Sequence, residues 1–232
     1  LEDIRADFAA NVSHELRTPL TAIRGFAETL LDGAYCQPES ALRFAQIIHN
    51  EAERLSELIE DVLKLSKIES GRVAIAKESV DVLELVHEVM GRLHERMKKH
   101  QIKIDIPDDL PPIQGDKGLL AQALHNLLDN AVKYTQLQGL IAVSAKQQDG
   151  EILLSVRDNG IGIPEEAKER IFERFYRVDR ARTRRFGGTG LGLAIVKHIV
   201  ETHKGGLQLN SVEGKGTEVI ISLPIMERVE KE

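Results

Sequence analysis

Gly187-Gly188-Thr189-Gly190-Leu191-Gly192-Leu193 runs directly into the helical pattern Ala194–Thr202. Glycines ahead of a helix N-terminus open backbone N–H groups to an anion, and the helix dipole favours negative charge there. No Gly-Lys-Ser/Thr follows, so the run is not a Walker A loop, and it does not have the Gly-x-Gly-x-x-Gly spacing of a dinucleotide fold. Alone, such a run is equally an ordinary loop, so its meaning depends on what surrounds it.

Three upstream pieces complement it. Asn126 and Asn130 stand one helical turn apart, with Lys133 and Tyr134 a turn further on. Neutral amide oxygens suit a Mg²⁺ already balanced by phosphates, and a lysine meets phosphate oxygens. A solvated helix face would read the same way. Asp158-Asn159-Gly160-Ile161-Gly162-Ile163-Pro164 follows the strand pattern Ile152–Val156. The carboxylate is an acceptor at a strand end, and the glycines permit close approach of a ligand, although an Asn-Gly turn is also commonplace. Phe172-Glu173-Arg174-Phe175-Tyr176-Arg177 then leads to Arg180, Arg182, Arg184 and Arg185, a local cationic patch suited to triphosphate or simply to solvent.

Around these pieces the chain has two textures. In residues 1 to 70, Ala9, Ser13, Leu16, Leu20, Ile23, Ala27 and Leu30 recur at alternating spacings of four and three. The pattern breaks at Gly33–Pro38 and resumes through Ala45, Ile48, Ala52, Leu55, Ile59 and Val62. This predicts a helical hairpin whose apolar stripe is too wide to bury alone. A dimeric four-helix bundle would cover it, and packing against the second half of the chain is the alternative. After the expected hinge at Glu69-Ser70-Gly71-Arg72, β-leaning runs at Val73–Ala76, Ile102–Ile106, Ile141–Ala145, Ile152–Val156, Gly206–Asn210 and Glu218–Leu223 interleave with helical stretches near 82–98, 117–134 and 190–203. Strands adjacent in sequence predict a mixed or antiparallel sheet layered with helices.

The 232 residues carry a net charge of -6, which argues against a nucleic-acid binder relying on an overall basic surface. The single cysteine, Cys36, excludes an intrachain disulfide and suits a reducing compartment. No apolar run approaches the roughly 20 residues needed to span a bilayer. With neither an initiator Met nor a signal-peptide start, the sequence reads as a soluble piece of a longer protein.

His14 lies one residue off the first apolar seam, and Thr18 follows one turn later on the same outward strip. Glu15 could hold one ring nitrogen protonated and leave the other as a neutral nucleophile. Pro19 deprives the carbonyl of residue 15 of its helical partner, which predicts a bend beside His14.

The segment Phe8-Ala9-Ala10-Asn11-Val12-Ser13-His14-Glu15-Leu16-Arg17-Thr18-Pro19-Leu20 resembles the phospho-acceptor box of sensor histidine kinases. The four later pieces resemble the N, G1, F and G2 boxes of their ATP-binding domain, and Gly214-Lys215-Gly216-Thr217 is similar to its terminal glycine motif. The resemblance spans about residues 8 to 224. It implies an α plus α/β architecture: a dimerising hairpin at 1–70, an α/β sandwich of the Bergerat type at 71–226 and a tail at 227–232. It further implies that ATP phosphorylates His14, and that an aspartate of a response regulator then receives the group. Glu15 would assist the transfer, and Thr18 would assist the reverse dephosphorylation. By matching positions, Asp158 would hold adenine and Asn130 would ligate Mg²⁺. Asn126, Lys133, Tyr134, Gly160, Gly162, Arg177, Arg185, Gly188, Thr189, Gly190, Leu191 and Gly192 would surround the nucleotide. Gly25-Phe26-Ala27-Glu28-Thr29-Leu30-Leu31-Asp32-Gly33 is similar to the phosphate-starvation-sensing (PhoR-type) branch, and a membrane-anchored parent is expected.

Two rivals remain open at this stage. Hydrolytic ATPases with the same fold carry a glutamate four residues before the Mg²⁺ asparagine to activate water. Here Asn126 stands in that place, and an amide is no general base. A pseudokinase that binds nucleotide only to set its shape would lack some chemical group, and none is missing.

Overall fold

The computed structural model describes residues 2–69 (side chains from Phe8 to Ile68), 76–178 and 188–225. Helix α1 (Glu2–Leu31) passes Gly33, whose φ is 115°, and a single 3₁₀ turn (Ala34–Cys36) before returning as α2 (Pro38–Glu69). The hairpin forms as the two interrupted apolar stripes predict. Near its turn Phe26 stacks on Phe44 with ring centroids 5.4 Å apart. Cys36 is exposed in that turn. The helix runs unbroken through Pro19, which is buried.

Of the predicted stripe, Ala9, Leu20, Ala45, Ala52 and Ile59 are exposed within one chain, and Leu31, Leu42 and Leu63 beside it are exposed as well. In the C-terminal half of α2, Leu58, Leu65 and Ile68 are buried and belong to the core of the second half. Of the predicted stripe, Leu16 and Val62 are partly buried against that core.

Among the described residues, the second half is a five-stranded sheet covered by three helices. Its strands are β2 (Gln101–Asp105), β4 (Leu140–Gln148), β5 (Glu151–Asp158), β6 (Gly206–Val212) and β7 (Gly216–Pro224), in the order β2-β4-β5-β7-β6. Only the β2–β4 pair is parallel, so the sheet is mixed as the adjacency of strands predicts. The β4–β5 hairpin closes over Asp149 (φ 51°) and Gly150 (φ 81°), the Asp-Gly pair that a two-residue turn with two positive φ angles prefers. A separate antiparallel pair, β1 (Glu78–Val80) with β3 (Ile113–Gly115), braces the base.

Helices α3 (Val82–Met97), α4 (Lys117–Tyr134) and α5 (Gly192–Thr202) cover the sheet. Period-two burial drives this layering. Ile141, Val143 and Ala145 on β4, and Ile152, Leu154 and Val156 on β5, meet Leu124, Leu128 and Ile195 from the helices, all buried in one core. Asp81 and Asp116 cap α3 and α4 by accepting from Glu84 N at 2.8 Å and Leu119 N at 3.0 Å, which fixes where both helices start. Buried His203 just beyond α5 ties the helices together. Its Nε2 accepts from Asp116 N at 3.0 Å, and its Nδ1 donates to Ile199 O at 2.7 Å.

Of the expected strands, Val73–Ala76 lies outside the described residues except for Ala76, which is not in a strand. The expected hinge at 69–72 likewise lies outside them beyond Glu69.

Candidate functional site

The Asn126, Asp158 and Gly188 pieces converge at one end of α4. The Nδ2 of Asn126 donates to Gly192 O at 3.1 Å, which ties α4 to the first turn of α5. Asn130 and Lys133 follow on the same helix and are partly exposed. Lys133 Nζ is held by Asp129 Oδ2 at 2.6 Å, and Asp129 also receives Arg96 of α3. The carbonyl of Tyr134 accepts from Ile161 N at 3.2 Å, bringing the loop after β5 against the end of α4. Gly160 is required there, since a Cβ would collide with that same carbonyl.

Asp158 closes β5. Burial pushes its carboxyl above the usual carboxylate range, and bonds from the backbone amides of Gly160 and Thr217 offset part of the rise. The Gly160 bond is 2.8 Å long. Thr217 comes from the start of β7, where Gly216 adopts a φ of 111° and lies so close to Asp158 O that any side chain would collide. The terminal glycine motif thus acts on the Asp158 loop. Ser211, which sequence reasoning missed, bonds to Ile163 N at 2.9 Å and braces Gly162 and its neighbours from β6.

On the third side stands the segment 188–192. Phe175 N donates to Gly190 O at 2.9 Å, and Arg177 donates to Gly188 O, so the Phe172–Arg177 piece is fastened to the glycines. Leu191 is fully buried, and only its backbone faces the site. Thr189 is also buried, and its Oγ1 donates 2.7 Å to Asp61 Oδ2 on α2. Asp61 is invisible to motif reading, since 128 residues separate it from Thr189. Arg185, with Arg180, Arg182 and Arg184, lies outside the described residues.

His14, Glu15 and Thr18 sit apart on α1, but the two halves touch beside them. Arg177 Nη2 is 3.9 Å from Glu15 Oε2. Phe8 and Phe175 meet as a tilted ring pair with centroids 6.0 Å apart, and Arg174 lies over the Phe8 ring. His14 is exposed, and the Thr18 hydroxyl donates to His14 O at 3.4 Å. Glu15 therefore faces the arginine bonded to the glycine segment, a partner that sequence spacing does not reveal.

The model for the His Kinase A (phospho-acceptor) domain matches residues 4–71, and the model for Histidine kinase-, DNA gyrase B-, and HSP90-like ATPases matches residues 115–227. The chain belongs to the sensor histidine kinases. Sensor histidine kinase WalK of Bacillus subtilis (strain 168) is 41% identical over 233 residues, covering 99% of this chain and 38% of that protein. The chain spans about two fifths to half the length of such curated relatives. Among solved structures, the mycobacterial sensor histidine kinase MprB is 33% identical, with a TM-score of 0.57 over 64% of this chain and 97% of that one. The histidine kinase ThkA in complex with response regulator protein TrrA is 27% identical, with a TM-score of 0.80 over 97% of this chain and 63% of that one. Among the described residues no helix is long and apolar enough to cross a membrane.

Proposed function

We propose that this chain is the kinase core of a sensor in which ATP phosphorylates His14 and the phosphoryl group then passes to an aspartate of a response regulator. The observation that carries the reading is Arg177. It binds the carbonyl of Gly188 in the glycine segment and faces Glu15, the chain neighbour of His14. A single cation thus links the phosphate side of the nucleotide site to the acceptor helix.

Asp158 accepts from the adenine amino group. Lys133, Arg177, Arg185, Tyr134, Asn126 and the backbone of 188–192 surround the phosphates, while Gly160 and Gly162 let the chain approach the base. The donor chemistry fits Mg²⁺: Asn130 offers a neutral, hard oxygen, and the Nδ2 of Asn126 is already engaged by Gly192, which leaves its oxygen as an acceptor. Bound at Asn130, the ion supplies positive charge against the phosphate oxygens. The neutral His14 nitrogen attacks the γ-phosphorus in line. An N–P bond forms as the P–O bond to the β-phosphate breaks, ADP leaves with the electron pair, and Glu15 takes the ring proton.

The exposed apolar residues Leu20, Leu31, Leu42, Ile59 and Leu63 of the hairpin support a homodimer that completes a four-helix bundle. The ThkA–TrrA complex supports a response regulator as partner. We place the division between hairpin and ATP-binding domain at 70/71, with a tail from 227, and the whole as the cytoplasmic part of a membrane-anchored sensor. The phosphate-starvation branch read from Gly25–Gly33 gains no support from the relatives, which are WalK proteins.

The deciding experiment is labelling with γ-labelled ATP. The chain should acquire acid-labile, alkali-stable phosphate, and His14→Gln should lose it while still binding nucleotide. Persistent label on that variant would move the acceptor elsewhere, with His49 the next suspect. Release of free phosphate unchanged by His14→Gln would indicate a hydrolytic ATPase.

A further inference from the structure

We propose that Asp61 is a built-in anion that competes with the triphosphate for the donors of the glycine segment, so that docking of the ATP-binding domain on α2 and nucleotide loading oppose each other. The proposal rests on the nucleotide reading given above. Its geometry is the 2.7 Å bond from Thr189 Oγ1 to Asp61 Oδ2. Thr189 is one of the residues placed around the phosphates, yet its hydroxyl proton is given to a carboxylate from the other half of the chain. The same oxygen accepts from Leu191 N at 3.2 Å, so the Asp61 contact also shapes the entry to α5.

Asp61 stands where the halves meet, flanked one turn either way by buried Leu58 and Leu65. Burial pushes its carboxyl up. The Thr189 bond, then the charges of Lys64 and Lys133, pull it down. Lys133 is another residue assigned to the phosphates. The Thr189 hydroxyl is thus committed to Asp61, and one hydroxyl proton cannot serve both acceptors. If ligand and carboxylate exclude each other, the coupling is reciprocal: triphosphate weakens docking, and loss of the Asp61 contact raises triphosphate affinity.

The test measures binding of the non-hydrolysable β,γ-imido analogue of ATP with Mg²⁺, and of adenosine alone, to the whole chain. Asp61→Ala should bind the analogue at least about fivefold more tightly, the lower bound for an effective coupling, and should leave adenosine affinity unchanged. Asp61→Asn keeps the shape and an acceptor oxygen but not the charge, and should fall between. Equal or weaker analogue binding in both variants overturns the proposal. An equal gain for adenosine also overturns it, because a merely structural role would affect both ligands alike. If the wild-type chain binds neither ligand, the nucleotide reading falls and the proposal with it.

Discussion

Arg177 Nη2 lies 3.9 Å from Glu15 Oε2, and the same guanidinium is bonded to Gly188 O. Both side chains are largely shielded, so the pair lies between the screened surface regime and the costly interior regime. Arg177→Ala should lower autophosphorylation at least tenfold, equivalent to about 1.4 kcal/mol of barrier, with adenosine affinity retained. Glu15→Gln should also slow the reaction, but it should leave binding of the ATP analogue intact. Wild-type labelling rates in Arg177→Ala would contradict the role given to this contact.

Asp158 gives a pH dependence whose sign can be worked out. Its folded carboxyl holds a proton more tightly than the ordinary Asp value of 3.8, chiefly through burial. Across the window from that value up to the raised one, the folded chain binds more protons than the unfolded chain. Stability without nucleotide therefore falls as pH rises through that window. Asp158→Asn should flatten this part of the melting-temperature profile and weaken adenosine binding. Asp61 is displaced in the same direction and remains in both proteins, so the difference between the two profiles isolates Asp158. Parallel profiles would refute the assignment.

Thr18 tests the reverse reaction. Its hydroxyl proton goes back to His14 O over a long 3.4 Å, leaving the oxygen able to accept from a water near His14. Thr18→Ala should keep autophosphorylation within a few-fold while regulator dephosphorylation slows at least tenfold, about 1.4 kcal/mol of barrier. Equal loss of both activities would instead show that Thr18 supports the helix around His14.

His203 is a purely structural test. It is buried, and it joins the amide of Asp116 at the start of α4 to Ile199 O in α5. His203→Ala strands the Asp116 amide and should destabilise the ATP-binding half by about 1–3 kcal/mol. Urea unfolding monitored in that half measures it, and a change below about 0.5 kcal/mol would place the bridge among neutral surface sites.

The sequence patterns located what local physics determines. Helix 117–134 is read with its observed ends because Asp116 is an N-cap and Thr135 leaves the helical region. The strands 152–156 and 218–223 extend outward by a few residues from their apolar alternation. β3, three residues long and paired with β1, offers too short a pattern to stand out. The same limit applies to the site. Asn126, Asp158 and Gly188–Gly192 were legible as motifs. Their supports from Ser211 and Asp61 come from distant strands or helices and leave no local signature.

The clasp of Lys133 by Asp129, itself gripped by Arg96, bears on how firmly an anion is held. A free lysine has several rotatable bonds, and freezing them costs up to about 2 kcal/mol of side-chain entropy. In this chain that ordering occurs when α3 and α4 assemble, long before any phosphate arrives. In the phosphate-binding role proposed for Lys133, less of the attraction would be spent on stilling the side chain. Arg96, far from the motifs in sequence, would thereby bear on the grip of a site it does not touch.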